Sequence, residues 1–272
     1  MVMRKRVGSI VSVLTISMFF SLANGLAQGQ GSGYSGPRTP DGKPDLNGVW
    51  QAMNTANWDL RAHAGQASLV VALGAQGAEP AGMSVIEGGE IPYLPGAVAK
   101  RNANYGHRLT DDPEVKCYMP GVPRATYQGF PFQIVQTPKS ILIAYEFAGA
   151  NRIVYVGTGP SSPADSWMGN SIAHWDGDTL VIDVTSFNDQ SWFDRAGDYH
   201  SDELHVIERY TPVNPDVIQY EATIEDPKTF SRPWKISMPL YRHLEKNAKI
   251  NEFKCVEFVE ELMYGKYRKK NP

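Results

Sequence analysis

The run VIQYEATIED, residues 217–226, alternates without a break. Ile218, Tyr220, Ala222 and Ile224 fall on one face, and Gln219, Glu221, Thr223 and Glu225 on the other. A period of two marks a half-buried antiparallel strand and does not suit a helix, whose faces recur about every 3.6 residues. PWKISMPLY repeats the pattern with Trp234, Ile236, Met238 and Leu240 aligned. PFQIVQT, SILIAYEF and NRIVYVG are further short β-rich runs, parted by the turns PK and AGA. SIAHWDGDTLVIDVTSF doubles back at Asp176-Gly177, because glycine accepts the positive φ of a tight hairpin turn. LHVIERYT leads through PVNPD into the alternating run, and KINEFKCVEF reads as one strand more. About eight to ten short strands in meander order, with no helix between them, predict a mainly β chain. An antiparallel β-barrel or a strongly curled sheet is expected, with a β-sandwich as the other open arrangement.

The rest of the chain is organised around that block. Arg4, Lys5 and Arg6 precede an apolar run from Val7 to Leu22, and Gly25-Leu26-Ala27 offers small residues for cleavage, so 1–27 reads as a secretory signal peptide. A periplasmic or secreted location follows, with no membrane span after cleavage. Removing that segment takes away three positive charges and no negative ones, moving the formal net charge from −3 to −6. Such a chain is a poor partner for nucleic acid, which needs clustered Lys and Arg. Residues 28–46, rich in Gly, Ser and Pro, read as a flexible leader. Section 47–116 opens with a strand at NGVWQAM and then turns loop-rich, with one short helix in LPGAVAKRNANYG; 117–272 holds the barrel, and 47–272 is expected to be one domain. VEFVEELMYGKYRKK predicts a final helix with Val259, Leu262 and Met263 on one side. Cys117 and Cys255 are too far apart for a CxxC motif, and in an oxidising compartment two distant cysteines predict one disulfide.

Gly48-Val49-Trp50 near the first strand, a β-meander and a terminal helix near a cysteine resemble the lipocalin or calycin architecture in form. A closer likeness lies in TPDGKPDLNGVW, CYMPGVPRATYQGFPFQIVQTP, DSWMGNSIAHWDGDTLVIDVTSFND, WFDRAGDYHSDELHVIERYT and IEDPKTFSRPWKISMPLYR. These stretches resemble a family of secreted bacterial proteins. The resemblance implies export and supplies no activity. Asn170 stands where that family's WMGDS pattern has Asp, which puts any use of that carboxylate here in doubt.

Function must then be sought in polar constellations. No GxSxG elbow, HExxH, Walker loop or GxGxxG is present, so covalent serine catalysis, zincin chemistry and nucleotide binding lack a motif. The stretch 192–210, WFDRAGDYHSDELHVIERY, gathers Asp194, Arg195, Asp198, His200, Asp202, Glu203 and His205 behind two large aromatics. His200, Asp194, His174, His205 and Arg195 are the candidate catalytic groups: a His paired with an Asp can be tuned toward neutral pH, and Arg195 could neutralise a carboxylate or enolate. Trp167, Trp192, Phe193, Tyr199 and Asn170 are the candidate lining of a substrate pocket at the barrel mouth. No cofactor is expected. The ligand types for a divalent ion exist in His174, His200 and Asp194, or for Ca²⁺ in Asp189, Asp194 and Asp198, without a fixed spacing. The expected function is a small-molecule-handling barrel. It is either a cofactor-independent His/Asp acid–base enzyme (hydratase, lyase, isomerase or cyclase) for an apolar or aromatic substrate, a non-catalytic binder of a small hydrophobic ligand, or an envelope structural protein.

Overall fold

The structure, a computed structural model, describes residues 33–67 and 78–267. The expected signal peptide, 1–27, and the first residues of the expected leader lie outside the described residues. The described residues belong to one compact unit. Nine strands among them close into a barrel in chain order. They are β1 (Gly48–Ala52), β2 (Phe132–Gln136), β3 (Ser140–Tyr145), β4 (Asn151–Val156), β5 (Asn170–Asp176), β6 (Thr179–Thr185), β7 (His205–Asn214), β8 (Val217–Glu225) and β9 (Trp234–Arg242). β9 returns to β1 through Trp50 opposite Arg242 and Ala52 opposite Leu240.

Two sequence expectations are corrected here. An antiparallel meander needs an even number of strands to close, because direction alternates at each step. With nine, one pair has to run parallel, and it is β4 with β5, Val154 opposite Ser171. The remaining eight pairings are antiparallel. KINEFKCVEF, expected as a strand, forms none. β9 is already bonded on both sides, so no open edge is left for it. Its Phe253 packs instead on Phe130 and Phe147, with ring centroids 5.2 and 5.0 Å away.

The short terminal helix is present as α3 (Val259–Tyr264), but Val259, Leu262 and Met263 all stay exposed. The expected helix in the loop-rich section is α1 (Ala97–Gly106), followed by the single turn α2 (Arg108–Asp111). Cys117 and Cys255 form a disulfide. The leader is not loose from Gly33 onward: Tyr34 and Leu46 are buried, and Arg38 donates two hydrogen bonds to Asp178, at 2.7 and 3.0 Å, in the β5–β6 turn. Among the described residues no helix is long and apolar enough to cross a membrane.

The inside of the barrel is packed. Trp50, Phe132, Ile141, Leu180, Ile182, Val206, Ile218, Ile224, Ile236 and Leu240 point inward, and none is more than 1 % exposed. A lumen wide enough for water would leave such walls exposed, so side chains fill it, as in other small barrels. In their midst lies an ion pair. Arg152 donates to both oxygens of Glu208 at 2.6 and 3.0 Å, and to Ser171 Oγ and the Tyr210 and Tyr145 hydroxyls at 3.2–3.3 Å. Tyr210 and Tyr220 donate to Glu208 Oε1 at 3.1 and 2.8 Å. Two buried charges survive there because each finds several partners.

Candidate functional site

Strand direction fixes which loops share an end. The connections β1–β2 (53–131), β3–β4 (146–150), β6–β7 (186–204) and β8–β9 (226–233) all open at one end, which they cover as a cap. The polar stretch 192–204 therefore meets the long insertion of residues 53–131.

Asp194 and Asp198 are fully buried in this cap. Asp194 accepts the backbone N–H of Leu60 at 3.0 Å and that of Asp198 at 3.1 Å. Asp198 accepts a two-pronged pair from Arg61, at 2.7 and 3.0 Å, and the Tyr93 hydroxyl at 2.8 Å, with Arg101 Nε at 3.4 Å. Asp59 completes the group: oxygens of Asp59, Asp194 and Asp198 lie within 4.8 Å of one another. Burial, and then the negative charge of Asp198, push the Asp194 carboxyl well above the ordinary range. Burial would raise Asp198 too, but Arg61 outweighs it and holds the carboxyl low. The two carboxyls are thus pushed in opposite directions, Asp194 toward its protonated form and Asp198 toward its ionised form. Asp59, Arg61 and Arg101 keep 20, 27 and 20 % of their side chains in solvent and are the part of the cluster that reaches the surface.

Arg195 faces the other way. Its Nε donates to Glu114 Oε2 at 2.9 Å, its Nη2 bonds Glu114 Oε1, and the guanidinium sits 4.3 Å from the Trp58 ring centroid. Glu114 also accepts from Arg124, which binds Asp112 through both oxygens and Asn57 Oδ1 at 2.8 Å. Arg195 is thus a fastening of the cap, paired away from the acid pair. His200 is buried, with Nε2 2.7 Å from Ser191 Oγ and Nδ1 2.8 Å from the Ser201 carbonyl; burial lowers its pKa.

The other expected residues are scattered. His174 points outward from β5 and is exposed, so the set His174, His200 and Asp194 does not converge. Asp189 is exposed and outside the acidic cluster. The aromatic mouth expected from Trp167, Trp192, Phe193 and Tyr199 does not form. Phe193 is core, edge-on to Trp234 at 5.7 Å; Trp192 and Tyr199 pack with Ala97 of α1; Trp167 meets Tyr118 at a tilt of 53°, ring centroids 5.1 Å apart. Asn170 is half-buried and donates to the Pro160 carbonyl at 3.2 Å. The side chains that complete the acid pair (Asp59, Arg61, Tyr93 and Arg101) come from a section whose poor periodicity hid them.

His205 lies on the outer face of β7, Nε2 2.6 Å from Asp183 and Nδ1 3.1 Å from Glu225. Burial opposes the charge, but hydrogen bonds to Asp183 and Glu225 outweigh it and raise the pKa. Both ring nitrogens are satisfied only in the imidazolium. Its stabilisation is therefore complete below the unfolded value of about 6.5 and fades as pH rises through the higher folded one. Being largely exposed, the cluster is worth only about 0.2–1 kcal/mol. Urea titrations at pH 5.5 and 8.5 should show this loss in the wild type and not in His205→Gln; equal slopes would rule it out.

Comparison with protein-family models, curated proteins and solved structures found no match, so the site is read from its own geometry.

Proposed function

We propose that the protein is an exported, cofactor-independent acid–base enzyme of the hydratase, lyase or isomerase type, working at the capped barrel end on a small substrate. The observation that carries this reading is the Asp194–Asp198 pair. Two neighbouring carboxyls with their protonation pushed in opposite directions supply an acid and a base at one pH. Arg61 and Arg101, part exposed beside them, suit a substrate with a carboxylate or developing enolate. The reading keeps the site at the barrel mouth and builds it from the cap residues Asp59, Arg61, Arg101, Asp194 and Asp198 in place of the expected aromatic lining. The alternative of a non-catalytic binder of a small hydrophobic ligand finds no supporting observation in the barrel interior, which side chains fill. An interaction role in the envelope keeps one supporting observation: Val135, Leu142 and Ile153 are exposed in a cross-strand row on β2, β3 and β4.

The test is proton exchange in D2O over a panel of aliphatic and aromatic 2-oxo and 3-hydroxy acids, followed by proton NMR. Asp194→Asn resembles the protonated acid in charge but keeps one oxygen where the Leu60 and Asp198 N–H groups use two. One buried donor therefore loses its acceptor at a cost of about 1–3 kcal/mol, and the melting temperature should fall by roughly 2–12 °C, with exchange measured on protein shown to be folded. Exchange should fall about 10²–10⁴-fold, the usual contribution of a positioned acid or base. In carbon-13 spectra of labelled aspartate, one carboxyl should titrate well above the ordinary aspartate range. Two carboxyls both ionised by pH 5, or exchange untouched in Asp194→Asn, would sink the proposal.

A further inference from the structure

Ser191 and His200 lie in the β6–β7 connection that also carries the acid pair, and the acid–base reading does not use them. Ser191 is 2 % exposed and His200 1 %. The carbonyl of Ser201, 2.8 Å from Nδ1, can only accept, so Nδ1 carries the ring proton. Nε2 then presents its lone pair to the Ser191 hydroxyl at 2.7 Å, and the hydroxyl is the donor. This is the tautomer and the direction a nucleophilic serine requires. The acceptor behind the imidazole is itself fixed: Ser201 donates its N–H to Asp226 at 2.6 Å and its hydroxyl at 2.8 Å. The rings of Phe187 and Phe193, 6.0 and 5.3 Å from the imidazole, hold its plane.

Directly above lies Gly121, with φ +75°. A Cβ there would stand 2.3 Å from Ser191 Oγ, so only glycine lets this backbone rest on the hydroxyl. The same segment exposes Tyr118 and Met119, two large apolar side chains, at 45 and 42 %. It is tethered at Cys117 by the disulfide, and its Tyr118 leans on Trp167.

We propose that Ser191 and His200 form a nucleophilic dyad for acyl transfer from esters with an apolar acyl group, reached when the segment 118–121 lifts from Ser191. The absence of a GxSxG elbow does not oppose this, because such groups are recognised by geometry and not by order in the chain. In the first step Ser191 Oγ bonds to the ester carbonyl carbon while its proton passes to His200 Nε2. The tetrahedral intermediate then breaks its bond to the alkoxy oxygen, which leaves as an alcohol with that proton. Water, giving a proton to Nε2, attacks the acyl-serine and releases the carboxylic acid. Serine and neutral histidine are regenerated.

The experiment uses the mature protein with two serine-directed reagents, a short-chain alkyl fluorophosphonate and the smaller phenylmethanesulfonyl fluoride, read by intact mass and peptide mapping. One adduct on Ser191 is expected with at least one reagent. Its rate should rise with pH as the imidazole loses its proton, fall about 100-fold or more in His200→Gln, and vanish in Ser191→Ala. If His200→Gln does not fold, the pH dependence of wild-type labelling decides alone. A folded protein whose Ser191 resists both reagents overturns the proposal, as does an adduct elsewhere or a rate indifferent to pH. Each of those results would make the pair a buried structural hydrogen bond.

Discussion

Glu208→Ala is expected to destabilise the barrel by about 3–5 kcal/mol, the usual cost of stranding a buried charge. Arg152 is 4 % exposed, and in the variant it would keep only Ser171 and the Tyr145 and Tyr210 hydroxyls. Tyr220 would lose its acceptor as well. A fall in melting temperature on the order of 10 °C follows, at about 2–4 °C per kcal/mol for a chain of this size. The paired replacement Arg152→Met with Glu208→Leu should recover most of that loss, because apolar side chains of similar volume need no partners. Urea midpoints of the three proteins make the comparison. A loss under about 1 kcal/mol in Glu208→Ala would mean that the pair is solvated and the barrel is not filled as described.

The barrel was legible because its signal is local. Alternation in 217–225 assigns inward and outward faces by itself, and Asp176-Gly177 marks its own turn. What depends on closure was not legible. The parallel β4–β5 pair follows from the parity of the strand count, which no single segment reveals, and KINEFKCVEF fails as a strand only because β9 is already paired on both sides. The ion pair could have been read. Arg152 is in phase with Val154, and Glu208 with Val206 and Tyr210, so two opposite charges stood at inward positions of alternating strands. The site was half legible. A crowd of charges at 194–205 announced buried polar chemistry, but Asp194 finds Leu60 at a separation of 134 residues and Asp198 finds Arg61 at 137. Pairings at such distances leave no pattern in sequence, and the section that supplies the partners has no periodicity to orient it. His174 and His205 misled because an outward histidine on a strand reads the same as an inward one until the register is known.

Arg124→Ala tests whether that insertion is held on the barrel by charge. Arg124 is 1 % exposed and is shared by Asp112, Glu114 and Asn57, while Glu114 also holds Arg195 of the 192–204 stretch. Removing it leaves two buried carboxylates side by side with only Arg195 between them, at a cost of about 3–5 kcal/mol. Lysine should not rescue it, since a single ammonium cannot replace a fork that binds both oxygens of Asp112 while reaching Glu114 and Asn57. The pH dependence has a definite sign. Burial alone would raise the Glu114 carboxyl, but Arg195 and then Arg124 outweigh it and bring it to about 2. A carboxyl lowered on folding stabilises above its unfolded value of about 4.3, and the gain drains away as pH falls toward about 2. Without Arg124 the Glu114 pKa should sit higher, so the wild type should carry a steeper acid loss between pH 4.5 and 2 than the variant, from a higher starting stability. Limited proteolysis should cut Arg124→Ala first within 53–131, while far-ultraviolet circular dichroism still reports the strands. A variant as resistant as wild type, with the same acid profile, would show that the cap is held by its apolar contacts alone. The Asp194–Asp198 pair would then owe its position to the Leu60 and Arg61 bonds and to nothing in the Arg124 network.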